Sequence, residues 1–125
     1  MCYPCHGKDG LGNGPVNVRA SALMAATNPA VKVGTNWVPA ANLIAADDTG
    51  AGGLKYGEDK YPNGELYNVI TNGKGNMVGY GHAIPLEERW AIVAYVRALQ
   101  LAQAPDAVAA IWAEQDAANA VAAND

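Results

Sequence analysis

Cys2, Cys5 and His6 stand together in the opening stretch MCYPCHGKDGLGNGP, residues 1–15, and Cys2 and Cys5 are the only cysteines of the 125 residues. Two thiols with two residues between them can add to two vinyl groups on one edge of a porphyrin, giving two thioethers. The residue after the second thiol then lies under the metal, and an imidazole nitrogen there can bind it. Cys2-x-x-Cys5-His6 therefore reads as the attachment sequence of a covalent c-type haem. Three rival chemistries use the same residues. A redox CxxC normally follows a strand of a thioredoxin-like fold, and no strand stands before Cys2 in these residues. A zinc site needs four ligands; Cys2, Cys5, His6 and His82 would supply them, with the adjacency of Cys5 and His6 straining the geometry. The third rival is a disulfide across two residues with a histidine beside it by chance.

Iron held by one protein ligand stays open to gases or peroxide, whereas iron closed on both faces suits electron transfer. Met24, Met77 and His82 are the candidates for the second face; Met1 adjoins the attachment turn and is sterically poor. Met24 lies in a helix-prone alanine stretch and reads more simply as core filler. Met77 sits in the Gly-rich stretch NGKGNMVGYGHAIP, residues 72–85, where Gly73, Gly75 and Gly79 permit unusual φ and close approach of backbone to a ring face. Met77 is the preferred ligand. His82 reads as a loop or surface histidine, with a bis-histidine site as the alternative. A thioether ligand raises the reduction potential relative to bis-histidine ligation.

Elements must position these groups. Residues 15–62 carry many breakers, among them Pro15, Pro29, Gly34, Pro39, Gly50 and Pro62. This segment reads as mostly loop, with short helical turns near 19–26. So long a loop is unusual in a small domain unless it wraps something, and a large flat apolar ligand would be that something. A short helix is expected over 64–71, with Leu66, Val69 and Ile70 on one face and Asn63 as its cap. The strongest helix is expected over 86–102. Pro85 suits its entry, and Glu87 and Glu88 occupy the first turn, where the helix dipole favours them. Ile92, Tyr95, Val96 and Leu99 form its apolar stripe, and Ala91, Ala94 and Ala98 an adjoining smooth face. Pro105 ends it. An Ala-rich helix is expected over 106–121, with Val108, Ile111 and Trp112 on one side. The expected fold is all-α, short helices and long loops around one haem. It divides into a domain at 1–104 and a helical extension at 105–125.

Half of the chain is apolar, and its length suits one domain with one core. The net charge of -4 falls entirely in the tail, on Asp106, Glu114, Asp116 and Asp125, leaving residues 1–104 neutral. Clustered basic residues of the kind that bind nucleic acid are absent. No run of about 18 apolar residues marks a transmembrane helix, and no signal peptide is visible.

With CxxCH at its start and TNGKGNMVGY before a C-terminal helix, the sequence resembles the class I monohaem cytochromes c over roughly residues 2–102. CHGKDGLGNGPV, LYNVITNGKGNM and IPLEERWAIVAYVRALQ resemble more closely the monohaem cytochrome c subunit of the bacterial alternative complex III, a membrane quinol oxidoreductase. The resemblance implies thioethers at Cys2 and Cys5, His6 as proximal ligand and Met77 as distal ligand. It implies that Tyr95 packs against a helix preceding the attachment motif, where only Met1 stands here. An upstream segment, the final helix or a partner subunit would then cover the face of residues 91, 94, 95 and 98, and an upstream segment is the preferred choice. The family also has a proline carbonyl that accepts a hydrogen bond from the proximal histidine; Pro15 and Pro39 are the candidates. Arg19, Trp37 and Lys55 are candidate partners for the haem propionates.

The expected function is electron transfer through one haem c by a non-enzymatic relay. Its partners would be redox proteins, most simply other subunits of a membrane-bound respiratory or photosynthetic quinol-oxidising complex. A freely diffusing periplasmic carrier is the alternative; a haem peroxidase or gas sensor, and a structural module without haem, come from other classes. Lys8 and Lys74 lie in segments expected near the exposed haem edge, but two lysines do not make a steering patch. Thioether formation outside the bacterial cytoplasm implies a periplasmic or other extracytoplasmic location.

Overall fold

The computed structural model describes residues 1–26, 37–46, 54–103 and 105–123, the side chains of 105–108, 110 and 111 excepted. Pro29, Gly34 and Gly50, read as loop breakers, and the side chains of Val108 and Ile111 lie outside this description. Among the described residues five helices and one small hairpin follow one another: α1 (Tyr3–His6), α2 (Pro15–Ala26), α3 (Asn63–Asn72), β1 (Gly73–Lys74), β2 (Met77–Val78), α4 (Leu86–Ala102) and α5 (Pro105–Ala122). The fold is a mostly helical small domain, as the sequence leads one to expect. The additions are the antiparallel hairpin, with Gly73 opposite Val78 and Lys74 opposite Met77, and an isolated bridge between Ala46 and Leu54.

The core lies between α3 and α4. Leu66 and Ile70 meet Val93 and Val96, with Leu43, Tyr61, Tyr67 and Ile92 packed around them. Burying each such aliphatic side chain contributes about 1.5–3 kcal/mol. The stripe on α4 is thus rotated from the expected one: Val93, Val96 and Gln100 are buried, whereas Tyr95 is 58% exposed. The reason is Gln100. Its amide donates to the carbonyls of Leu43 (2.9 Å) and Tyr56 (3.0 Å), so its burial supplies the Leu43 carbonyl with its donor and the Tyr56 carbonyl with a second one. Beside it, Arg97 donates to Asn63 Oδ1 (2.7 Å), Gln100 Oε1 (2.8 Å) and the carbonyls of Tyr56 (2.7 Å) and Tyr61. Burial lowers the affinity of this guanidinium for its proton, opposed by nearby Glu58 and Asp59. Gln100→Ala should cost about 1–3 kcal/mol, because the Leu43 carbonyl loses its donor, the Tyr56 carbonyl keeps only Arg97, and a buried side chain is truncated. Urea unfolding of the haem-loaded protein checks this; a loss below about 0.5 kcal/mol would show that water replaces the amide at no cost.

α3 starts without the expected asparagine cap. Its N-cap is Pro62, and Asn63 instead donates to Glu58 (2.8 Å) and accepts from Arg97. α2 is a full helix from Pro15, longer than the turns expected near 19–26. Ala91, Ala94, Tyr95 and Ala98 on α4 are exposed, so α5 does not cover that face. Trp112 on α5 is 65% exposed.

Candidate haem site

Pro4 stands in the first turn of α1, where its fixed φ and missing N–H suit a helix start. The turn is closed by the amides of Cys5 and His6, which both donate to the Cys2 carbonyl (3.2 and 2.9 Å). Both cysteines are free and half-buried, so the rival disulfide is not formed. Among the described residues no three His, Cys, Asp or Glu side chains gather as a metal-binding group, so the four donors of the rival zinc reading are not brought together.

The Gly-rich continuation wraps back onto this turn. Gly12 N–H donates to the His6 carbonyl (2.9 Å) and Gly14 N–H to the Cys5 carbonyl (3.1 Å). A Cβ on Gly14 would overlap the carbonyl oxygens of Tyr3 and Pro4, and Gly12 has φ +76° with the Ala40 carbonyl where its Cβ would go. Neither position has room for a side chain. Asp9 accepts from Leu11 N–H and Asn13 Nδ2, both at 3.1 Å, and these bonds hold its carboxyl below the usual range.

His6 Nδ1 lies 3.0 Å from the Ala41 carbonyl. A carbonyl can only accept, so Nδ1 carries the proton and Nε2 keeps its lone pair for a metal. The partner is therefore Ala41, not Pro15 or Pro39. The two prolines were plausible because both flank the right loops; the actual acceptor is set by how residues 37–43 fold back, which the residue types do not encode.

Met77 stands on β2, half-buried, on a separate element from the attachment turn. Its hairpin is built by glycine. Gly73 (φ +81°) ends α3, its N–H on the Val69 carbonyl. Gly75 (φ +58°) takes the first turn position, as a type II′ hairpin requires. The loop beyond is tied to α3 by Tyr80 N–H on Ile70 O (2.8 Å) and Gly81 N–H on Thr71 O (3.0 Å). Arg89 Nη1 donates to Thr71 Oγ1 (2.7 Å), fastening the same helix end to α4.

The other candidates fall elsewhere. Met24 is exposed on the last turn of α2 and is not core filler; His82 is exposed in the turn before α4. Tyr95 donates to the Lys8 carbonyl at 3.3 Å. Of the expected propionate partners, Arg19 and Lys55 are exposed and Trp37 gives its indole N–H to Asn17 (3.2 Å). Lys74 donates to the Tyr61 hydroxyl (3.0 Å), which holds its ammonium above the ordinary value. Lys8 lies 5.6 Å from the centre of the Tyr3 ring.

These residues fit a haem. The thiols are free, the histidine has its coordinating nitrogen unspent, and the apolar surface lacks a core to enter. Among the described residues no large side chain is fully buried, while Leu11, Val16, Leu23, Val38 and Val78 are all more than 40% exposed. Well-packed interiors leave few such gaps, and a large apolar ring would supply the missing interior.

A helical domain with a Cys-x-x-Cys-His turn of this geometry is a c-type cytochrome domain of the class I monohaem kind. Residues 1–96 match the family model described as cytochrome c oxidase, cbb3-type, subunit III, and the chain belongs to that family. Haem c, bound covalently, is accordingly its cofactor, and Cys2 and Cys5 fit the attachment site. No curated protein and no solved structure matches the chain.

Proposed function

We propose that this chain relays single electrons through one haem c ligated by His6 and Met77, as a subunit of a membrane-bound respiratory complex on its extracytoplasmic side. The observation that carries the ligation is the hydrogen bond from His6 Nδ1 to Ala41, which leaves Nε2 as the ligating atom. Haem c supplies reversible uptake of one electron at its iron. The chain does the rest: α1 presents thiols and imidazole from one turn, the Gly73–Val78 hairpin offers a soft thioether, and apolar side chains exclude water. Keeping both faces closed by protein atoms limits the change on electron transfer to charge alone. Donor and acceptor then need only approach the ring edge.

Subunit membership draws on the resemblance of residues 2–102 to the cytochrome of alternative complex III, and on the neutrality of residues 1–104. A neutral domain with a fixed neighbour needs no electrostatic steering, whereas a diffusing carrier gains from it. No described helix is long and apolar enough to cross a membrane, so membrane attachment would run through partner subunits or an anchor outside these helices. A second reading has its own support: the matching family is named for an oxidase subunit, which would place the haem on the oxygen side of the chain instead of the quinol side.

Purification from native membranes in a mild detergent tests the proposal. The expected product is a red band with one covalent haem per chain, migrating with membrane subunits. Reduction by added quinol in the absence of oxygen supports the quinol-oxidising assignment. Oxidation by oxygen without added donor selects the oxidase. Recovery as a lone periplasmic protein refutes the subunit assignment, and a colourless product refutes the haem.

A further inference from the structure

We infer that Asn17, the first buried residue of α2, is a positioning residue for the proximal histidine: it aims the Ala41 carbonyl at His6 Nδ1. The inference rests on the reading of His6 as the iron's ligand.

Asn17 is 6% exposed. Among the described residues, the hydrogen bonds of its side chain go to the two segments that flank His6. Its Nδ2 donates to the Gly12 carbonyl (2.5 Å), and the Gly12 N–H in turn donates to the His6 carbonyl (2.9 Å). Its Oδ1 accepts from Trp37 Nε1 (3.2 Å) and from the Ala40 N–H (3.1 Å), one residue before the carbonyl that faces His6. One side-chain amide therefore joins the strand of chain below the imidazole to the loop beside it. An amide is suited to this because it donates and accepts at once; a carboxylate would face the Gly12 carbonyl with no proton to give, and an alkyl chain would leave three polar groups unpaired.

The loop is held at a second point. Leu43 N–H donates to the Gly10 carbonyl (2.8 Å), and the Leu43 carbonyl accepts from Gln100 (2.9 Å). Ala41 lies between the two anchors. Removing Asn17 leaves the Leu43 anchor in place, so the loop stays on the protein while the Ala41 carbonyl loses its aim. The effect falls on the histidine. A hydrogen bond from Nδ1–H makes the ring a stronger donor to its metal, which favours the ferric state. Weakening that bond should raise the reduction potential.

The test is Asn17→Ala in the haem-loaded protein, with two readouts that a purely structural role would leave alone. The first is the reduction potential, expected to rise by about threefold to tenfold in the ferrous-to-ferric ratio at fixed poise, tenfold being 59 mV for one electron. The second is exchange of the His6 Nδ1 proton with solvent, followed through its paramagnetically shifted resonance and expected to be at least tenfold faster. Asn17→Ser keeps an oxygen near the loop on a shorter arm and should shift both readouts the same way by less; it serves if the alanine variant does not retain haem. Wild-type values of both readouts in the folded variant overturn the role of Asn17. Absence of shifted His6 ring resonances in the unmodified protein overturns the ligation reading, and this inference with it.

Discussion

A Met77→Ala protein should bind carbon monoxide in its ferrous state within seconds of exposure, where the unmodified protein does not. The hairpin that carries Met77 is held by its own turn and by the end of α3, not by the methionine side chain. Gly73 and Gly75 set its bends, and the bonds from Tyr80 and Gly81 to Ile70 and Thr71 close its base. Truncation should therefore open one face of the iron without unfolding the domain. Loss of the thioether also removes the ligand that favours ferrous iron. The potential should fall by more than tenfold in the ferrous-to-ferric ratio, that is, by more than about 59 mV. His82→Ala should leave both properties unchanged, since that ring sits exposed in the turn before α4. Carbon monoxide binding already present in the unmodified protein, and unaltered by Met77→Ala, would make the site an open one suited to gas or peroxide chemistry. Opening by His82→Ala instead would establish bis-histidine ligation.

The double variant Cys2→Ser, Cys5→Ser should lose all covalent haem, read as absence of haem staining after denaturing electrophoresis. Its consequence for stability should be large. The described core amounts to Leu66, Ile70, Val93 and Val96 with their neighbours, plus Ile44 and Ile84. A ligand present at a thousandfold over its dissociation constant adds about 4 kcal/mol to the folded state, and a tethered one cannot be diluted away. Loss of at least that much from so small a core should convert cooperative thermal unfolding, followed by circular dichroism, into a broad transition. A double variant that keeps a sharp transition near the unmodified temperature would mean that the polypeptide folds without the ring. Each single variant should keep one thioether and an intermediate stability.

Much of this was legible in residue order because local rules decided it. The bounds of α4 follow from Pro85, two glutamates and a long apolar period, and the structure gives Leu86–Ala102. α3 follows from Leu66 and Ile70 at helical spacing. The attachment turn was readable because its chemistry demands fixed spacing. What was not legible were the buried polar groups. Gln100, Asn17 and the Ala41 carbonyl owe their places to partners 57, 23 and 35 residues away. Nothing in the types of these residues announces those meetings. α2 was underestimated for a related reason: its apolar residues are scattered around the helix and mark no face, so its start at Pro15 had no periodic signal.

Tyr95 closes onto the carbonyl of Lys8 across 87 residues. Seen in the time order of synthesis, this means that the turn bearing the two thiols reaches its final surroundings only after α4 has emerged. Contacts so distant along the chain form slowly. Attachment of haem to Cys2 and Cys5 before that contact closes is the expected order, since the thiols are then on an open peptide.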